Sequence, residues 1–162
     1  MSAAAQKPDP SQRAADPHRS AWVSANAGAG KTYTLANRVT RLMLAGARPE
    51  RILCLTYTKA AAAEMAARLF NQLGAWALMA DDTLREKIRE IGASADSGEE
   101  LARARTLFAQ ALETPGGLKI QTIHDFCERL LGRFPLEAGV PPNFDILGDR
   151  VAAELLEEVR DG

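Results

Sequence analysis

The sequence predicts an α/β fold, a mostly parallel sheet with helices on both faces, and three observations carry that reading. Short apolar runs without alternation, Trp22-Val23 and Ile52-Leu53-Cys54-Leu55-Thr56-Tyr57, suit strands buried on both faces. Stretches with apolar residues at helical spacing lie between and after them, and strands that alternate with helices close into parallel units. A Gly-rich turn, Ala25-Asn26-Ala27-Gly28-Ala29-Gly30-Lys31-Thr32, sits between the first run and the first helical stretch.

Taken in order, residues 1–20 are rich in Ala, Pro and charge and predict an extended, partly mobile arm. The core is expected over 21–147, with 148–162 starting a helical subdomain. After the Gly-rich turn, Leu35, Val39, Leu42 and Met43 share one helical face, and Gly46 to Pro49 break it. The run at 52–57 is the second strand. Thr58 is positioned to cap the Ala-rich helix that follows, on which Met65, Leu69, Leu73 and Trp76 line one side. Residues 82–91 read as a shorter charged helix, and 99–113 as another with Leu101, Ala104, Phe108 and Leu112 inward. Thr114-Pro115-Gly116-Gly117 turns the chain into a short strand, Leu118-Lys119-Ile120-Gln121. Thr122 and Asp125 resemble a capping box for a helix burying Ile123, Phe126, Cys127, Leu130, Leu131 and Phe134. Phe144-Asp145-Ile146-Leu147 reads as extended, and Asp149 caps a last amphipathic helix carrying Val151, Leu155 and Val159. Trp22 and Trp76 are read as core.

A chain of 162 residues suffices for one domain with a real core. With 46% apolar and 25% charged residues the composition is ordinary globular, and a formal charge of −1 gives no global attraction to nucleic acid. Cys54 and Cys127 lie far apart, in apolar patterns without metal-type spacing, and are expected to be buried reduced thiols of a cytoplasmic protein. No stretch approaches the length of a membrane span, and the N-terminus has no apolar signal region.

The Gly-rich turn carries the chemistry. Gly28 and Gly30 allow positive φ and a close backbone approach to an anion. The amides of Ala29 to Thr32 then face a ligand at the positive end of a helix. Lys31 would reach the outer phosphates of a nucleotide, and the Thr32 hydroxyl would hold Mg²⁺. Ala25 stands where the strict pattern has Gly; a Gly-rich turn with an unrelated Lys is the plainer alternative. Three junctions pass from strand to helix, at 24–32, 56–59 and 121–125, and in parallel sheets ligands gather beyond the carboxyl ends of the strands. A row of helix starts along one rim would suit a polyanion such as a nucleic-acid backbone.

Three segments together carry a resemblance: the turn at 25–32, then Leu55-Thr56-Tyr57-Thr58-Lys59-Ala60-Ala61-Ala62-Ala63-Glu64-Met65, then Gln121-Thr122-Ile123-His124-Asp125-Phe126-Cys127. In order and spacing they are similar to the first RecA-like domain of UvrD/RecB-type helicases of superfamily 1. Within that family the likeness is to the helicase–nucleases of AddA type, which the tail at 135–144 also resembles. The resemblance implies an ATP- and Mg²⁺-dependent DNA helicase of 3′→5′ polarity in double-strand break repair and recombination. The partners it implies are DNA (single strands or duplex ends) and an AddB-like second subunit.

By position, Ala25, Asn26, Ala27, Gly28, Ala29, Gly30, Lys31, Thr32 and Tyr33 match the nucleotide site. Lys31 and Thr32 are the residues implied in catalysis, and Thr32 the one implied in Mg²⁺ binding. Gln12 sits where the family places the glutamine that reads adenine. Thr56, Thr58 and Lys59 match the contacts to single-stranded DNA, with Lys59-Ala60 where UvrD-like members often have Asn-Lys. Thr122 and His124 match the third motif, near the bound strand. Thr56 and Thr58 would otherwise serve strand and cap hydrogen bonds, and His124 a structural role.

The acidic pair that such an enzyme needs after a buried strand is absent, because no apolar run ends in Asp-Glu. The resemblance therefore implies the N-terminal portion of a longer protein, its domain incomplete at the C-terminus. Alone it is expected not to be competent for hydrolysis. Two rivals are a small P-loop phosphotransferase and a non-catalytic nucleotide- or DNA-binding module.

Overall fold

The structure is a computed structural model and describes residues 9–26 and 28–161, with the side chains of Asp149, Ala152, Leu155 and Asp161 also outside the described set. The sequence reading of residues 1–8, of Ala27, and of the Asp149 cap and Leu155 falls outside it. The chain divides into two compact units, Met1–Thr122 and Ile123–Gly162.

The first unit holds helices α1 (Pro10–Ala14) and α2 (Lys31–Leu44), a short 3-10 turn at Pro49–Arg51, and strand β1 (Leu53–Thr56). Helices α3 (Lys59–Leu78), α4 (Asp81–Glu90) and α5 (Gly98–Leu112) follow, and strand β2 (Lys119–Thr122) ends it. The strands pair in parallel, Leu53 opposite Lys119 and Thr56 opposite Thr122, so the α/β class and the parallel pairing expected from the sequence are present. Helices α3, α4 and α5 form the crossover between them.

The core forms where helical faces meet one side of this sheet. Val39 and Met43 of α2, Met65, Leu69 and Leu73 of α3, and Leu107 and Ala111 of α5 close around Cys54. A second cluster joins Trp76 to Leu84, Ile88, Ile91, Ala95, Leu101 and Ala104. The α3 stripe is as its spacing predicts, with Met65, Leu69, Leu73 and Trp76 all buried. Its start is also as expected: the Thr58 hydroxyl accepts from the Ala61 N–H at 3.1 Å. Helix α5 begins with a reciprocal capping box between Ser97 and Glu100, and its C-terminal turn is rotated from the expectation. Leu107 and Ala111 face inward, and Leu112 is 65% exposed.

Several expectations are corrected. Trp22-Val23 forms no strand, and Trp22 is 95% exposed rather than core. A strand needs a partner's main-chain groups, and the described pairing ends at β1 and β2. The 52–57 run is not buried on both faces, since Leu53 and Leu55 point away from Cys54 and are about two-fifths exposed (43% and 41%). The arm is anchored over residues 9–20: α1 is capped by Asp9, and Ala15 is fully buried.

The second unit contains α6 (Ile123–Arg133) and α7 (Asp149–Asp161). No residue of α6 is buried: Ile123, Leu130 and Leu131 are exposed, and so are Cys127 and, just past the helix, Phe134, against the sequence expectation. Amphipathic spacing marks which side of a helix could be covered, and among the described residues of this unit no element buries it. Residues 144–147, read as extended, belong to no helix or strand, and Val151 and Val159 are exposed.

Candidate functional site

The Gly-rich turn runs into α2 as its residue types dictate. Gly28 and Gly30 adopt φ of +79° and +80°, left-handed conformations in which a Cβ would be strained. Gly30 is the cap residue of α2 and offers no side chain. The Ala29 N–H closes the turn on the Asn26 carbonyl at 3.2 Å, and the helical ladder opens with the Thr34 N–H donating to the Gly30 carbonyl at 2.9 Å. The amides of Lys31, Thr32 and Tyr33 precede that ladder and lie at the helix's positive end. No acidic residue occupies the first turn.

Lys31 folds back over the turn, its Nζ donating to the carbonyls of Ala25 at 2.8 Å and Asn26 at 2.6 Å. A Cβ built at Gly28 or Gly30 would meet nothing within 4 Å, so the space before the helix is open. An ammonium, a hydroxyl at Thr32 and the first-turn amides, which have no hydrogen-bond partner among the described residues, form a donor set suited to an oxyanion, and the Thr32 oxygen suits a hard cation beside it. The residues present fit a nucleotide phosphate with Mg²⁺. Ala27 lies outside the described residues, and Tyr33 is half-exposed.

Gln12 is not part of a mobile segment. Its side-chain Nε2 donates to the Glu90 carbonyl at 2.9 Å, and its own carbonyl accepts from Arg41 at 2.7 Å. Gly92, at φ +79°, lets it approach, because a Cβ there would stand 3.2 Å from the Gln12 Cβ. Gln12 is thus tied to the turn after α4 and to α2 ten residues beyond Lys31.

The second and third motifs meet at one end of the sheet. Thr56 and Thr122 are the last residues of β1 and β2 and are register partners. The Thr56 hydroxyl lies 3.0 Å from the Thr58 carbonyl and 3.4 Å from the Gln121 carbonyl, so its one proton serves the fold. Thr58 accepts the Ala61 N–H and keeps its own proton free to donate outward from an exposed position. Lys59, the first residue of α3, is exposed, and Thr122 is buried. His124 is exposed on α6, in the other unit. Of the three junctions expected along a rim, the strand ends of two, Thr56 and Thr122, are side by side; the turn before Lys31 follows no strand of this sheet.

Sequence reasoning missed Arg38 and Arg41. Arg38 donates to the carbonyls of Ala14, Asp16 and Arg19, and Arg41 to that of Gln12. Their spacing from Lys31, seven and ten residues along one helix, was the available signal. Gln121 was also passed over as a side chain: it is 8% exposed, and among the described residues its Oε1 has no partner.

Among the described residues no group of His, Cys, Asp and Glu could hold a metal ion by itself, and no helix is long and apolar enough to cross a membrane.

Comparison with known proteins places the chain in a family. Residues 7–161 match the UvrD/REP helicase N-terminal domain. The chain is 34% identical over 136 residues to the A subunit of the ATP-dependent helicase/nuclease of Lactobacillus johnsonii, covering 84% of this chain and 10% of that protein. It is 31% identical over 154 residues to the protein of the same name from Limosilactobacillus reuteri, covering 94% and 10%. The exonuclease/helicase subunit RexA of Lactococcus lactis is 30% identical over 136 residues, again covering 84% and 10%. The chain spans about a tenth of the length of these curated relatives. With its phosphate-type turn, its capped α3 and its two motif-bearing strand ends all inside the matched region, the chain belongs to the UvrD/REP helicase N-terminal domain family.

Proposed function

We propose that the chain supplies the nucleotide-binding and DNA-backbone-binding part of an ATP-dependent DNA helicase that acts with 3′→5′ polarity in double-strand break repair. The observation that carries this reading is the turn closed by Gly28 and Gly30 with Lys31 at the open start of α2. In it, first-turn amides and the lysine hold the triphosphate, and the Thr32 hydroxyl orients Mg²⁺. Bound Mg²⁺–ATP would supply the phosphoryl bond whose cleavage drives unwinding.

Thr58 and Lys59, exposed at the start of α3, donate to phosphates of a single strand, and His124, exposed on α6 of the other unit, is by itself a further phosphate donor. Thr56 and Thr122 act behind them by fixing the sheet end, because the Thr56 proton is already committed. Gln12 stands for base selection, with the second N–H of its carboxamide and its Oε1 matching the N7 and N6–H edge of adenine. With no apolar run ending in Asp-Glu in the sequence, these residues bind nucleotide without turning it over. The whole protein joins an AddB-like subunit in the cytoplasm, as the relatives' description as helicase/nuclease subunits supports.

The test pairs two measurements on the chain: ATP turnover with and without single-stranded DNA, and anisotropy of a labelled oligothymidine. Binding that weakens with salt and falls in Lys59→Ala, with no turnover, is the expected result. Sustained turnover that disappears in Lys31→Ala would contradict the missing-acid argument. Salt-independent or absent DNA binding would contradict the backbone contacts.

A further inference from the structure

Three cations of α2 hold the chain that precedes it, and all three do so through main-chain oxygens. Lys31 takes the carbonyls of Ala25 and Asn26, Arg38 those of Ala14, Asp16 and Arg19, and Arg41 that of Gln12. Positions 31, 38 and 41 share one side of a helix. The order of contacts therefore lays residues 12–26 along that side as a strap antiparallel to α2. A groove of about 260 Å³ separates the two, walled by Ala14, Ala21 and Val23 of the strap and by Lys31, Thr34 and Arg38 of α2.

Arg38 is the middle anchor. Its two terminal nitrogens reach three carbonyls spread from Ala14 to Arg19, at 2.9, 2.7 and 2.6 Å. A planar fork with several N–H groups can do this, whereas a lysine ammonium is a single point. Beyond Arg19 the described residues up to Asn26 are exposed, and the next anchor is Lys31 itself. Where Ala25 and Asn26 present their carbonyls is thus set by Lys31 at one end and Arg38 at the other.

We propose that Arg38 is a positioning residue for the phosphate turn: by fixing the strap at Arg19 it holds Ala25 and Asn26 where Lys31 takes their carbonyls at the mouth of the phosphate site. This rests on the reading of Lys31 as a phosphate ligand. Loss of the anchor leaves the turn to be ordered at the moment of binding, which weakens affinity.

Two readouts test it on the chain with Arg38→Ala and Arg38→Lys. Amide exchange without nucleotide is expected to quicken over residues 20–26 in both variants, with α3 and α5 unchanged. Affinity for a fluorescent ATP analogue with Mg²⁺ is expected to fall about tenfold in Arg38→Ala, which removes all three bonds to the strap and leaves Lys31 and the first-turn amides in place, and to recover only in part in Arg38→Lys. If Arg38→Ala unfolds, Arg38→Lys decides alone. Unchanged exchange over 20–26, or faster exchange with unchanged affinity, overturns the proposal. Failure of the unsubstituted chain to bind the analogue, with Lys31→Ala behaving identically, counts against the phosphate reading instead, and the exchange data still report the hold of Arg38 on the strap.

Discussion

Thr56 and Thr122 stand opposite each other as the final register pair of two parallel strands, so residues from motifs far apart in sequence share one edge. The Thr56 hydroxyl spans the turn into α3 at 3.0 Å and the neighbouring strand at 3.4 Å. Thr56→Val removes that donor while keeping the shape. Stability is expected to fall by about 1 kcal/mol, measured by urea unfolding. An unchanged midpoint would mean that the hydroxyl does not secure the strand end.

Thr58→Ala removes the cap of the 20-residue α3 and is expected to cost about 1 kcal/mol, whereas Thr58→Asp retains the acceptor and most of the stability. Thermal unfolding of both variants checks this. Single-stranded DNA binding should weaken in both, because the Asp variant keeps the cap while adding negative charge toward phosphate.

The capping box of α5 gives a pH signature. Hydrogen bonds from the Ser97 backbone N–H, with further ones from Ser94 and Asp96, hold the Glu100 carboxyl down at about 2 against a reference of 4.5. A folded value below the unfolded one stabilises above the unfolded pKa, and that contribution is lost as pH falls from about 4.5 toward 2. Glu100→Gln should therefore flatten the loss of stability across that window relative to the unsubstituted chain. Parallel pH profiles would contradict the box.

The two thiols should separate cleanly. Cys54 lies in the core, where burial pushes its pKa up to about 11, and Cys127 is exposed. A thiol reagent at neutral pH is expected to modify Cys127 first and Cys54 only on unfolding. Equal rates for both would contradict the packing around Cys54.

How much of this was legible beforehand follows from where each signal resides. The α3 stripe and the Thr58 cap are local, encoded in spacing and in one hydroxyl, and both are as the sequence predicts. The inward face of α5 was legible at Leu101 and Ala104. It was misassigned at Leu112, because Leu107 and Leu112 are equally apolar and only packing against α2 and α3 separates them. Trp22-Val23 reads as a strand by composition, yet pairing is a non-local property that the run itself cannot specify. The α6 stripe illustrates the same limit, since periodicity marks a face without naming its cover. At the candidate site, Gly28, Gly30 and Lys31 announced themselves by type and spacing. Arg38 did not, because it binds main-chain carbonyls and leaves no complementary residue in the strap's sequence.

The central claim is that Lys31, at the open start of α2, holds a nucleotide phosphate. Calorimetric titration of Mg²⁺–ATP into the chain tests it most directly, with Lys31→Ala as the comparison and far-UV circular dichroism confirming that both are folded. The account predicts saturable one-to-one binding that is lost in the variant, since the ammonium is replaced while the Gly28–Gly30 turn is kept. Equal affinity in the two proteins, or no binding by a folded unsubstituted chain, would contradict it.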